Sequence, residues 1–285
     1  EVIVASDCST DGPHDIVGRF DHPRLRLVAS PMRLGKEAAQ KRAAESATGE
    51  ILVFTDAGIL VDPPTIRHLV AQFADARIGC VTGEDRVLNT TGDVVGEGAY
   101  VRYETWLRRL ESRINSVVGM SGWLFAVRKS LCGAWPVGFA SDFYMLLSTV
   151  KAGYRGVCEP RAVGYSWVVP SHDQEVRRKV RTIVRGIAVL VEERALLNPL
   201  RYGVFAWQLM SHKLLRWLVP FFLVGLFGAS LLLYSDGMVY RWLAGAQTAF
   251  YGVALVGYPR VAWRSSALVR LPDFFCMSNL AILVA

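Results

Sequence analysis

Ile51-Leu52-Val53-Phe54-Thr55-Asp56-Ala57-Gly58 is the stretch that decides the fold. Its apolar half is rich in β-formers, is entered through Thr48-Gly49, and is left through an acidic residue and a glycine, the pattern of a buried strand. An unbroken apolar run of this kind predicts a central parallel strand covered on both faces. Asp56 then lies at the carboxyl end of the strand, where open α/β sheets place their ligand crevices. A carboxylate there can hold a divalent cation against a nucleotide diphosphate, since Mg²⁺ favours carboxylate and phosphate oxygens. The competing use of such an Asp, capping the helix that starts near Pro63 or Pro64, falls more naturally to Asp62.

Outward from this stretch the pattern alternates. Strands are predicted at 1–6, 24–28, 51–55 and 78–87, with helices at about 13–20, 36–47 and 63–75, the order of a doubly covered parallel sheet. Asn89-Thr90-Thr91-Gly92-Asp93 is a turn cluster. An amphipathic helix is expected over 97–116, where Tyr100, Tyr103, Trp106, Leu107, Leu110 and Ile114 share a face. Gly119-Met120-Ser121-Gly122 opens a strand at Trp123–Val127, and Ser141-Asp142 starts a helix over 141–151. A strand at Gly156–Glu159 is expected to end at Pro160, and a long helix over 173–196 to stop at Asn198-Pro199.

The 285 residues are 52% hydrophobic and 20% charged, and the apolar weight is concentrated after about residue 200. Residues 201–216 suit a helix in the headgroup layer, with Trp, Phe and Leu interspersed with His212, Lys213 and Arg216. Membrane crossings are expected at about 217–234 and 242–258, with a third beginning at 274 and cut off at 285. Pro220 falls in the first turn of the first of these, where proline is tolerated. The net charge of +7 comes from Arg clusters beside apolar segments, which fits anionic lipid headgroups better than nucleic acid. The connection 259–273 holds Arg260, Arg264 and Arg270 against Asp273, and the positive-inside rule then puts the globular part in the cytoplasm. Five scattered Cys without metal-type spacing predict reduced thiols. Glu1 leads straight into a strand and the chain stops inside an apolar run, so a piece of a longer protein is expected.

Two further places can touch a ligand. Asp7, after the first strand, can accept hydrogen bonds from a nucleobase or ribose; capping the following helix is the other use open to Asp7 or Asp11. Gly35-Lys36 is not a P-loop, because Ser30 and Glu37 stand where that motif needs Gly and Ser or Thr. A Gly-Lys pair at a helix start can still approach phosphates through backbone N–H groups and a cation.

Together these pieces resemble the family 2 glycosyltransferases of GT-A fold, a Rossmann-like α/β mixed sheet. The matching residues are Glu1–Gly12, Arg33-x-Gly35-Lys36 with Ala39, and Ala47-Thr48-Gly49-Glu50-Ile51 through Phe54-Thr55-Asp56-Ala57. Further matches are Gly122 to Arg128, Ser141-Asp142, Gly153-Tyr154 to Glu159-Pro160, and Gln174-x-x-Arg177-Arg178. The resemblance covers 1–196 and implies a domain lacking its first strand and helix; the interfacial helix at 197–216 and the transmembrane helices at 217–285 suit the membrane-anchored, polysaccharide-synthase-like branch. It implies that Asp7 contacts the base, Lys36 supports the nucleotide, and Asp56 binds Mg²⁺ or Mn²⁺ at the diphosphate. Asp142 matches the catalytic base, and Gln174, Arg177 and Arg178 match an acceptor- and product-side motif. The chain departs from the family at Gly58 and Ser141, where many relatives are acidic, and at Arg178, which replaces a Trp of processive synthases.

For Asp142 a helix N-cap is the alternative, and for the basic run 177–185 a solvated or lipid-facing stripe. The function implied is a membrane-anchored, inverting transfer of sugar from a nucleotide-sugar donor to a polysaccharide or lipid-linked acceptor at the inner face of the plasma membrane. A catalytically silent subunit that binds nucleotide sugar and scaffolds a synthase is the alternative, kept open by Gly58. A transporter fits poorly, since the apolar segments are expected to carry no buried ionisable residue of the kind transport needs.

Overall fold

The computed structural model describes residues 1–89, 99–133, 136, 138–167, 172–257 and 266–285. The turn cluster beyond Asn89 and most of the Arg-bearing connection 259–273 lie outside them. The chain divides into two compact units, one of Glu1–Val168 with Arg185–Leu209 and one of Val169–Val184 with Met210–Ala285.

In the first unit, β1 (Val2–Ser6) pairs in parallel with β2 (Leu25–Ala29), separated by the short α1 (Pro13–Gly18). After α2 (Lys36–Ser46) come β3 (Ile51–Thr55), β4 (Leu60–Val61), α3 (Thr65–Ala71) and β5 (Ile78–Leu88). Then follow α4 (Ala99–Ile114), β6 (Leu124–Arg128), α5 (Ser141–Lys151), β7 (Arg155–Trp167) and α6 (His172–Glu192). Five strands form a mixed sheet in the order β3-β6-β5-β7-β4, with β5 and β7 parallel and the other ladders antiparallel.

The opening stretch is a strand, as expected, but not a central parallel one. β3 ends the five-strand order, and its ladder, Ile51↔Arg128 to Thr55↔Leu124, is antiparallel to β6. Apolar length reports burial, and burial is what the run delivers: Leu52 and Phe54 are buried and Phe54 stacks on Phe125 at 4.8 Å. Which neighbour a strand takes is decided by residues far away in the chain. The centre of the sheet is β5, buried from Ile78 to Glu84. Leu69 and Phe73 cover it, with Val81, Leu124, Ala126, Val157 and Ala162 in the same cluster.

Pro160 does not end its strand. Between Thr82↔Cys158 and Glu84↔Val163 the β5–β7 register slips, and Pro160 sits in that bulge, where a missing N–H breaks no ladder bond. Glu159, also in the bulge, accepts bonds from Arg161 N and Nε, both at 2.9 Å, and from Gln72 at 2.5 Å. The Arg161 guanidinium is the main reason the Glu159 carboxyl lies below the usual range. Asp62 is not a side-chain cap either: Pro64 occupies the cap position of α3, and the Asp62 carboxylate accepts the Tyr165 hydroxyl at 3.0 Å.

Beyond α6, Asn198 Oδ1 accepts the Leu200 N–H at 2.9 Å and so opens a new helix, α7 (Pro199–Leu209). The second unit holds a π-turn at Met210–Leu214, α8 (Leu215–Leu232), α9 (Met238–Gly257) and α10 (Ala267–Val284). Pro199–Leu232 is the one helix among the described residues long and apolar enough to cross a membrane, with mean hydropathy 1.8. The third apolar segment begins earlier than expected. It includes Asp273, which is buried, so this helix does carry a buried ionisable residue. Lys179 Nζ lies 4.2 Å from the Phe274 ring centre and 3.4 Å from Ser278 Oγ.

Candidate active site

The site is built from the loops after β1 and β3, the turn before β6 and the starts of α2 and α5. Asp7 follows β1, and its two carboxylate oxygens accept the Leu34 N–H at 2.7 Å and the Gly35 N–H at 2.8 Å. Gly35 caps α2 with φ 97° and ψ 161°, a backbone state that only glycine adopts without strain. Asp7 therefore fixes the loop that launches Lys36. Its lone pairs beyond those two bonds can accept further donors.

Lys36 reaches the end of β3, its Nζ 2.5 Å from Asp56 Oδ1 and 3.0 Å from the Gly122 carbonyl. Both side chains of this pair keep solvent access, 41% and 33%. Asp142 lies in the first turn of α5, but the cap position belongs to Ala140, so its carboxylate is not the N-cap. A Cβ placed on Gly122 would come within 3.7 Å of Asp142 Oδ2, which puts the Asp142 carboxylate beside the residue that Lys36 touches. Ser141 donates to Gln40 Oε1 at 2.6 Å and ties α5 to α2. Arg185 on α6 pairs with the buried Glu37 at 2.5 Å, directly after Lys36.

Asp7, Lys36, Asp56 and Asp142, read from separate stretches, are thus brought into one chain of contacts. Arg177 and Arg178 are exposed residues of α6 within the second unit, and the side chain of Gln174 lies outside the described residues.

A residue that sequence reasoning missed is Asp85, near the end of β5. Burial pushes its carboxyl up, Arg108 and a hydrogen bond from Ser121 oppose that, and the charges of Asp142 and Asp56 add to it. An acidic pair, Glu84-Asp85, inside a strand-like run was the available signal. Of the two, Glu84 is taken up structurally, paired with Arg109 at 2.7 Å.

No group of three His, Cys, Asp or Glu side chains poised for a metal occurs among the described residues. Asp56 fits a cation held in the other common way, by one carboxylate together with phosphate oxygens and water. At Gly58 an added Cβ would meet nothing within 4 Å, so the missing second acid is a vacancy in chemistry and not in space.

The glycosyl transferase family 2 profile matches residues 1–132. The chain is 24% identical over 186 residues to an N-acetylglucosaminyltransferase of Mesorhizobium japonicum, covering 56% of this chain and 41% of that protein. It is 22% identical over 187 residues to an N-acetylglucosaminyltransferase of Sinorhizobium fredii, covering 58% and 45%. The chain spans less than half the length of these curated relatives. Among solved structures it is similar to a mannosyltransferase of Pyrobaculum calidifontis in complex with GDP-Man and Mn²⁺. The TM-score is 0.68 at 24% identity, over 99% of this chain and 77% of the other. The fold is therefore that of the GT-A glycosyltransferases.

Proposed function

We propose, for a chain that carries a glycosyl transferase family 2 domain from residue 1 to 132, a membrane-held glycosyltransferase that draws on a nucleotide-sugar donor. The observation that carries this reading is that Lys36 and Asp142 meet at Gly122 while Lys36 also pairs with Asp56. Names of similar proteins, which speak of N-acetylglucosaminyl and mannosyl transfer, support the reaction class and leave the sugar open.

In this reading Asp142 takes the proton of the acceptor hydroxyl as that oxygen attacks the anomeric carbon, and direct displacement inverts the centre. Asp56 would hold Mg²⁺ or Mn²⁺, which would stabilise negative charge on the leaving diphosphate. Lys36 supplies a second positive charge on the same side, and Asp7 sets the loop that presents it. The acceptor is a polysaccharide or a lipid-linked glycan, which a site near the headgroups of the cytoplasmic leaflet can reach. Gln174, Arg177 and Arg178 serve the acceptor and product side. The apolar helix Pro199–Leu232 supports attachment to the membrane, with α9 and α10 as further crossings.

Nucleoside diphosphate release by the full chain in membranes, over a panel of nucleotide sugars, tests this. Turnover that falls at least about a hundredfold in Asp142→Asn and in Asp56→Ala is the expected result. Wild-type silence with every donor would sink it. Gly58 favours a second reading, a subunit that binds the nucleotide sugar without transferring it. Gly58→Asp, with open space for a second carboxylate, separates the two: it raises Mn²⁺-dependent nucleotide binding in either case, but raises turnover only in an enzyme.

A further inference from the structure

Ser121 is 2% exposed and its hydroxyl is fully assigned. The oxygen accepts the Trp123 N–H at 3.0 Å and the Leu124 N–H at 3.2 Å, which uses both lone pairs. Its single proton is then left to donate, and Asp85 Oδ1 receives it. The Ser121 N–H donates in turn to Thr82 Oγ1 at 2.8 Å. The turn from Ser121 to Leu124 is thereby pinned to β5 at two residues, Thr82 and Asp85.

What this turn carries is Gly122. Its carbonyl accepts Lys36 Nζ, and its α-carbon faces the Asp142 carboxylate. A shift of the turn would therefore displace the donor-side cation and the proposed base together. Resting on the glycosyltransferase reading above, we propose that Asp85 is a positioning residue for transfer. It acts through the Ser121 hydroxyl to hold Gly122, and so to keep Lys36 and Asp142 in register.

What the role needs is an acceptor at position 85, not a charge. An Asn there keeps an oxygen for the Ser121 proton, whereas an Ala leaves that buried proton without an acceptor and the turn tethered only at Thr82. Misplacing reacting groups by about 1 Å costs on the order of a hundredfold in rate, which sets the scale of the effect.

The experiment compares Asp85→Ala, Asp85→Asn and Ser121→Ala in the full chain in membranes, reading steady-state turnover and amide exchange. Asp85→Ala should lower kcat about tenfold to a hundredfold and raise the donor KM, and Asp85→Asn should restore most of both. Ser121→Ala should reproduce the Asp85→Ala loss, and the double variant should add nothing to it. Amides of Trp123 and Leu124 should exchange faster in Asp85→Ala and not in Asp85→Asn, with Val81 and Val157 as controls for intact folding.

Equal losses in the Ala and Asn variants, or an unchanged kcat in Asp85→Ala, would overturn the proposal. Wild-type inactivity with every donor defeats the glycosyltransferase reading instead. The exchange measurement still decides the positioning role in that case, since unchanged exchange at 123 and 124 in Asp85→Ala refutes it.

Discussion

At the scale of single residues, Asp85 shows how a carboxyl can serve a site while weakening the fold that holds it. Its folded pKa is raised above the ordinary 3.8, chiefly by burial. Below 3.8 the group is protonated in both folded and unfolded chains and contributes nothing. As pH rises through the folded value the buried carboxyl ionises at a cost, so the wild type loses stability that a neutral amide keeps. Asp85→Asn is therefore expected to melt above the wild type at pH 7, with the gap closing in scans taken below about pH 4. Each kcal/mol shifts the midpoint by about 2–4 °C in a domain of this size. A wild type that melts higher at pH 7 would show that the ionised Asp85 is stabilised by its neighbours instead. Asp7, Lys36, Asp56 and Asp142 could be singled out because each follows a strand or opens a helix, positions that sequence marks with Gly, Asp and Lys. Asp85 was not legible, because its importance comes from a hydrogen bond to Ser121, 36 residues away.

At the scale of elements, patterns of period and punctuation placed most strands and helices, missed the two-residue β4, and otherwise misread partners and ends. β3 was found but given the wrong neighbour, since apolar length encodes coverage and not direction. Pro160 was read as a stop, because a proline breaks a regular ladder and nothing in the local sequence announces a bulge. The bulge has its own requirement on the facing strand. At Gly83 an added Cβ would lie 2.6 Å from the Ala162 carbonyl oxygen and 3.0 Å from Leu124 Cδ2. The first of these is backbone and cannot swing aside. Gly83→Ala is accordingly expected to destabilise the first unit by about 1–3 kcal/mol, read as a lower urea midpoint with little change in slope. An unaltered midpoint would mean that the bulge can slide to accept a methyl group.

At the scale of the whole molecule, composition forecast a globular part followed by an apolar part, and the two compact units follow that division except at α6, whose first half joins the second unit. Periodicity could not foresee this, because α6 is one continuous helix and its two halves differ only in what they pack against. The apolar helix raises the last question, whether it is a crossing or the core of a soluble assembly. A core helix is covered, but only 11% of the most apolar window of Pro199–Leu232 is buried. Phe221, Phe222, Val224, Leu226, Leu231 and Leu232 are exposed on several sides of α8, not along one stripe that a single partner could cover. Lipid covers all sides at once. The full chain should therefore stay with the membrane pellet through both high salt and alkaline carbonate. Release by salt alone would point to attachment through the Arg clusters, and release by carbonate to a surface-bound helix that does not span.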